Sequence, residues 1–358
     1  GDDPFENTVF LLFLAAVITA VDNYQDLLRI SVASPSNDCR LGGNEAPPAI
    51  VSMYLGDELT GILDCVESGK KYFGAKRTHM QTGVHVLPDF KKDTTDRNRT
   101  SPFAFTGNKF EFRMPGSAQS ISDTNTVLNT ALAEVLSGFA DRLEGKKEVN
   151  AAARRIVRDA YREHKRIIFN GNNYSEEWVK EAEKRGLCNL PTAADAIPLL
   201  VKEKNMALFS KTGIFSETEL RSRCAIMLQN YVSVLSIEAL TMLDMARVQF
   251  APALNRGAAE LCRQLSEVQG IGVQTGSLQA AAVAAVDSVE ALYQATKNLS
   301  DACASLKTMG DVGASADFCR DTLLPRMEEL RTVVDTAEKV TPADLWPMPT
   351  YKDLLFNV

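Results

Sequence analysis

The last hundred residues constrain the fold most. Apolar side chains recur there at steps of four and three in three separate runs. The first is Leu254, Ala258, Leu261, Leu265 and Val268. The second runs from Leu278 through Ala282, Ala285, Val289, Leu292, Thr296, Leu299 and Cys303 to Leu306. The third is Leu323, Met327, Leu330, Val334 and Ala337. This spacing lays one narrow apolar seam along a helix, whereas a strand needs a period of two. The glycine-bearing loops QGIGVQTG and MGDVGASAD separate the runs, so the spacing predicts an antiparallel bundle. Pro325 lies in the third run, where its ring and missing N–H start or kink a helix.

A period of two governs TGNKFEFRMPG, residues 106–116. In a strand, Phe110, Phe112 and Met114 share one face and Lys109, Glu111 and Arg113 the other. SPFAF and KFEFRM flank the turn TGN and read as paired strands. Residues 6–30 read as one buried helix with Asn7 or Thr8 as its N-cap. Its apolar core, VFLLFLAAVITAV, is short for a bilayer span, and the acidic flank GDDPFEN lacks the positive charge of a signal segment. A loop rich in Gly, Pro and Asn follows, then a short helix through SMYLGDELTGILDCV. Next comes a polar region, 70–100, with VHVLP as a strand. A helix is expected from Ser122–Asp123 to Leu143, closed by Gly145, then helices over 147–169, 176–186, 192–210 and 216–250. The fold class is α+β, passing into an almost wholly helical carboxy-terminal part.

The net charge of -7 argues against a general nucleic-acid or anionic-membrane binder. The seven cysteines form no CxxC pair and no zinc spacing, which reads as reduced thiols in a reducing compartment.

Three stretches concentrate functional residue types. In CRLGGNEAPP, Arg40 and Glu45 flank a Gly42–Gly43 turn; the plain alternative is a solvated ion pair. In DRNRTSPFAF, Arg97 and Arg99 offer planar guanidinium groups that fit phosphate or carboxylate oxygens, or form an exposed basic turn. The Lys109–Glu111–Arg113 row is either an ion-pair ladder or a carboxylate that holds a cation beside a polyphosphate, with cations for the anionic oxygens. His79, His85 and His164 show no ligand spacing and read as surface or half-buried packing. The helix bearing Arg154, Arg155, Arg158, Arg162, Lys165 and Arg166 reads as a solvated amphipathic helix rather than an RNA-binding one.

Taken together, RLGGNEAPPAIVSMYLGDEL, DTTDRNRTSPFAFTGNKFEFRMPGSAQSI, RIIFNGNNYSEEW and LWPMPTYKDLLF resemble the glutamine synthetase family, in its type III branch. The resemblance extends over essentially the whole chain. It implies that residues 1–250 are the carboxy-terminal part of a catalytic domain, a curved antiparallel sheet with flanking helices. Residues 251–358 would be the helical extension of type III. It further implies ATP-dependent ligation of ammonia to glutamate through γ-glutamyl phosphate, with Mg²⁺ or Mn²⁺, in a double hexameric ring. Neither nucleic acid nor membrane is an expected partner. The expected compartment is the cytoplasm, or a plastid or mitochondrion.

By the same resemblance, Glu111 matches a metal-binding carboxylate, and Arg113 faces the glutamate side chain and the transferred phosphoryl group. Arg40 matches the clamp on the substrate α-carboxylate, and Glu45 the flap residue that shields the intermediate and takes a proton from ammonium. Arg99 matches the arginine at the nucleotide phosphates, and Lys109 a basic residue near the nucleotide. Two departures stand out: Pro102, Phe103 and Ala104 replace the region of a further arginine, and Cys39 stands where the pattern has histidine. The family's other metal glutamates, its histidine and its ammonium-attracting aspartate lie upstream of the matched motifs and are not in this chain. The expectation is therefore a longer native protein. The alternative is a non-catalytic structural or regulatory paralogue.

Overall fold

Asn7 accepts a hydrogen bond from Phe10 N at 3.0 Å and starts the first helix, α1 (Thr8–Asn23). The computed structural model describes residues 4–43, 45–73, 79–80, 90–91, 100–272, 274–349 and 351–356. The single helix expected over 6–30 breaks at Tyr24, and α2 (Gln25–Ile30) follows. Side chains cause the break. Gln25 Nε2 donates to the Asp22 carbonyl at 3.0 Å and Lys204 Nζ to the Asn23 carbonyl at 2.7 Å, so neither carbonyl needs an amide four residues on.

Next come α3 (Pro35–Arg40), capped by Ser34, β1 (Met53–Tyr54) and α4 (Gly56–Ser68). A small pair, β2 (His79–Met80) and β3 (Phe90–Lys91), is antiparallel. The next two strands, β4 (Phe103–Phe105) and β5 (Phe110–Phe112), pair antiparallel around the turn the sequence marks. Thr106 N bonds Lys109 O at 2.9 Å, and Gly107 takes φ 96° within that turn. Among the described residues the main sheet has the order β1-β4-β5, and β1 runs parallel to β4, with Met53 beside Phe103. The expected antiparallel sheet is thus mixed. A crossover containing α4 separates β1 from β4, and parallel neighbours require such a connection. VHVLP (84–88) and both Arg97 and Arg99 lie outside the described residues.

Helix α5 (Ser122–Leu143) occupies the predicted span, and Gly145 beyond it takes φ 69°. Helix α6 (Val149–His164) buries Ala152, Ile156, Val157, Ala160 and Tyr161 on one face and packs on α1 and α4. Three cations of α6 and the 3-10 turn after it, Lys165–Ile167, find partners within the chain. Arg154 donates to Phe5 O at 2.7 Å, Lys165 pairs with Glu67 at 2.9 Å and Arg166 with Asp22 at 2.9 Å. His164 departs from the surface or half-buried reading: it is buried, with Nδ1 2.8 Å from Asp22 Oδ2. The helix expected over 192–210 is split. α7 (Glu176–Lys184) precedes it; then a Thr192–Asp195 capping box opens α8 (Ala193–Ala196), a 3-10 turn holds Pro198, and α9 (Glu203–Thr212) follows. Pro198 has no N–H to continue the α-helical ladder.

The chain packs as two units, Gly1–Cys224 and Ala225–Val358. Helix α10 (Glu217–Met245) continues through a π-helical turn, Ala246–Phe250, into α11 (Ala251–Gln269). After α12 (Gly276–Lys307) and α13 (Val312–Phe318), a second π turn, Cys319–Leu323, leads into α14 (Leu324–Glu338); α15 (Tyr351–Phe356) ends the described chain. Both π turns stand just before a proline, Pro252 or Pro325, in the first turn of the next helix. The widened turn absorbs the missing donor, so Pro325 sits at a π turn within one helical run, 312–338, and does not start a new helix.

In the second unit, Leu254, Leu292, Leu299, Leu323 and Leu330 are fully buried along the seams. Leu261, Leu265, Val268 and Leu278, nearer the loop between α11 and α12, are half-buried. On α10, Ile226, Ile237 and Leu240 recur at helical spacing yet are exposed. The continuous helix 217–269 is long and apolar enough to cross a membrane by length and composition, with 28% of its most apolar window buried.

Candidate active site

Strand β5 displays its charged row as the alternation requires. Lys109 Nζ lies 3.1 Å from Glu111 Oε1, and Arg113 Nη2 and Nε donate to Glu111 Oε2 at 3.0 and 3.3 Å. Lys109 first, then Arg113, holds the Glu111 carboxyl below the usual carboxylate range. Glu111 is therefore ionised throughout the neutral range. Opposite the row, Phe110 and Phe112 pack on Phe103 of β4 with ring centroids 5.2 and 5.8 Å apart. Both are half-buried, while Met114 beyond them is buried. Ala104, the cross-strand neighbour of Glu111, has a small side chain, so β4 puts no bulk beside the carboxylate.

Helix α3 brings Arg40 to the end of β5. Its Nη1 donates to Asn37 Oδ1 at 3.2 Å and to the Met114 carbonyl at 3.0 Å, and Nη2 donates to the Arg113 carbonyl at 3.4 Å. Nε donates to Glu45 Oε1 at 3.2 Å. Nη1 and Nη2 are thus tied to Asn37 and the backbone, while Nε faces a single exposed carboxylate. Nε together with the second N–H of Nη2 forms the fork a carboxylate can take in bidentate fashion. Glu45 is 77% exposed in its side chain, and its carbonyl accepts from the Tyr174 hydroxyl at 3.1 Å.

A buried ion pair anchors α3 from below. Arg29 Nη2 donates to Asp38 Oδ1 at 2.7 Å, and Ala193 N donates to Asp38 Oδ2 at 2.6 Å. Arg29 also donates to the Leu190 and Pro191 carbonyls at 2.8 and 3.1 Å. Burial pushes the Asp38 carboxyl up, and the Arg29 charge and the Ala193 N–H pull it back only in part.

Of the residues singled out from sequence, Arg40, Glu45, Lys109, Glu111 and Arg113 fall into two linked groups, joined where Arg40 meets the backbone of Arg113 and Met114. Arg99 is outside the described residues. The sequence reading missed Asn37 and Tyr174. Asn37 lies one turn before Arg40 in a helix that Ser34 and Pro35 announce, which was the available signal. No group of three His, Cys, Asp or Glu side chains converges among the described residues. The donor set offers one carboxylate, Glu111, already shared between two cations, so these residues alone do not make a metal centre.

Residues 152–269 match the family model described as the glutamine synthetase C-terminal domain. Over 365 residues the chain is 37% identical to a protein named Type-3 glutamine synthetase from Dictyostelium discoideum, covering 99% of this chain and 50% of that one. The chain belongs to the glutamine synthetase family. It is also 37% identical over 376 residues to a glutamine synthetase of Butyrivibrio fibrisolvens and 34% over 373 residues to one of Bacteroides fragilis (strain YCH46). Each covers 100% of this chain and 51% of the relative. The chain therefore spans about half the length of the curated relatives it matches. The aligned residues include the charged row of β5 and the Arg40–Glu45 loop.

Proposed function

We propose that the chain is the carboxy-terminal catalytic portion of a type III glutamine synthetase, which joins ammonia to L-glutamate using ATP. The supporting observation is the Lys109–Glu111–Arg113 row with Arg40 tied to the same strand, in a chain similar to glutamine synthetases along its length. A side-chain carboxylate oxygen of glutamate attacks the γ-phosphorus of ATP, and the bond to ADP breaks. Ammonia then attacks the γ-carbonyl carbon of the acyl phosphate, and the C–O bond to phosphate breaks.

The residues divide this work by charge. Arg40 offers its Nε–Nη2 edge to the α-carboxylate of glutamate, which displaces Glu45 from that edge. Glu45 is then free to cover the intermediate and accept a proton from ammonium. Arg113 and Arg99 face the phosphoryl group, and Lys109 the nucleotide. Glu111 would supply one carboxylate to a Mg²⁺ or Mn²⁺ site whose other donors would come from elsewhere in the assembled protein. The cation, when bound, would supply positive charge to the phosphate oxygens.

Residues 1–250 belong to the catalytic domain in this reading and 251–358 to the type III extension. The packing units divide earlier, between Cys224 and Ala225. The exposed Ile226, Ile237 and Leu240 suit contact with further copies in a double hexameric ring. The compartment is the cytoplasm, or a plastid or mitochondrion.

Oxygen-18 in the side-chain carboxylate of glutamate tests the reaction in the native full-length protein. One labelled oxygen per turnover should leave in inorganic phosphate. Glutamine formation without label transfer would exclude the acyl-phosphate route.

A further inference from the structure

Asn37 is a polar side chain with 1% exposure, buried beside the half-buried guanidinium of Arg40. Its Nδ2 donates to the Val32 carbonyl at 2.7 Å and to the Met114 carbonyl at 3.1 Å. Its Oδ1 accepts from Arg40 Nη1 at 3.2 Å, and the same Nη1 donates to the Met114 carbonyl at 3.0 Å. Amide, carbonyl and guanidinium thus close a ring that joins α3 to the residue beyond β5. Turning the amide over would set its oxygen against two carbonyls and its NH₂ against a cation, so one orientation is fixed. Gly116 closes the other side: a Cβ there would stand 3.3 Å from Asn37 Oδ1.

We propose that Asn37 is a positioning residue that fixes the Arg40 guanidinium against β5, so that its open edge is presented ready for a substrate carboxylate. The inference rests on the reading of Arg40 as the carboxylate clamp. An arginine side chain is long and rotamer-rich, and ordering it on binding costs affinity. Asn37 removes that cost beforehand. It touches neither substrate nor phosphate, so its loss belongs in glutamate binding rather than in turnover.

The test uses the native full-length protein with Arg40→Lys, Asn37→Ala and Asn37→Asp. Asn37→Ala should raise the KM for glutamate about tenfold, as for a lost hydrogen bond to a charged group, with kcat nearly unchanged. Asn37→Asp keeps an acceptor for Arg40 but replaces the donors to Val32 and Met114 with a carboxylate oxygen that faces their carbonyls. It should lower the melting temperature as Asn37→Ala does while leaving that KM near wild type. A KM that rises equally in both variants, following stability rather than the acceptor, would overturn the proposal. So would an unchanged KM in Asn37→Ala when Arg40→Lys raises it. An unchanged KM in Arg40→Lys would instead remove the clamp reading itself. A readout independent of catalysis is the rate at which p-hydroxyphenylglyoxal modifies Arg40, followed by peptide mass. Asn37→Ala should accelerate it several-fold, and an unchanged rate would mean that Asn37 does not restrain Arg40.

Discussion

The Arg29–Asp38 pair and the Lys109–Glu111–Arg113 row are made of the same charges at similar distances, 2.7 Å in one and 3.0–3.1 Å in the other. Their surroundings separate them. Arg29 and Asp38 have side chains only 1% and 9% exposed, and the pair ties α2 and α3 to each other and to the 190–193 segment. Lys109 and Glu111 are 63% and 37% exposed, and among the described residues the partners of Glu111 are Thr106, Lys109 and Arg113 of its own hairpin. Water screens the second group and not the first. A buried pair becomes a structural commitment, because losing one partner strands the other charge. An exposed row holds its carboxylate ionised at little energetic consequence, which leaves it free to exchange partners.

The largest effect on folding should come from Asp38→Asn, which leaves Arg29 buried without its counter-charge. Urea denaturation should show a loss of about 3–5 kcal/mol, as for other broken buried pairs. A loss within the range of a surface pair would erase the contrast between the two groups. A smaller step is Tyr174→Phe, which removes the hydroxyl that holds the Glu45 carbonyl. It should cost about 1 kcal/mol or less in the same experiment, as for one net hydrogen bond. If this loss matched that of Asp38→Asn, the loop of Glu45 would be part of the scaffold rather than a movable cover.

The contrast also explains what the sequence disclosed. The β4–β5 hairpin, α5 with its closing Gly145 and the seams of α11, α12 and α14 depend on local period and turn chemistry, and they were legible. The break at Tyr24 was not, because a lysine 181 residues away in sequence satisfies Asn23. The parallel β1–β4 pairing and the buried role of Asn37 are likewise long-range: Met114 is 77 residues from Asn37. For the site, charged residues announced themselves by pattern, whereas the neutral amide that orders Arg40 carries no pattern of its own. Arg29 and Asp38 were equally silent, since burial alone distinguishes them from surface charges.

Smaller still in folding is Lys109→Met, which exposes one apolar side chain and should leave the melting temperature within error. Its effect should appear in the native full-length protein as a KM for ATP raised several-fold with glutamate KM unchanged. An equal rise in both would make Lys109 a general electrostatic contributor and not a nucleotide contact.

Glu111→Gln, in the native full-length protein, bears most directly on the claim that the β5 row is a half-site rather than a surface ladder. The substitution preserves shape and removes the charge. The melting temperature should not move, while phosphoryl transfer should fall by about a hundredfold or more, the scale of charge stabilisation by a bound cation. The half-saturating Mg²⁺ concentration should rise together with that fall, and excess Mn²⁺ should restore part of the rate. Turnover and Mg²⁺ dependence equal to those of the unaltered protein would contradict the half-site and leave the row as a solvated ion-pair ladder.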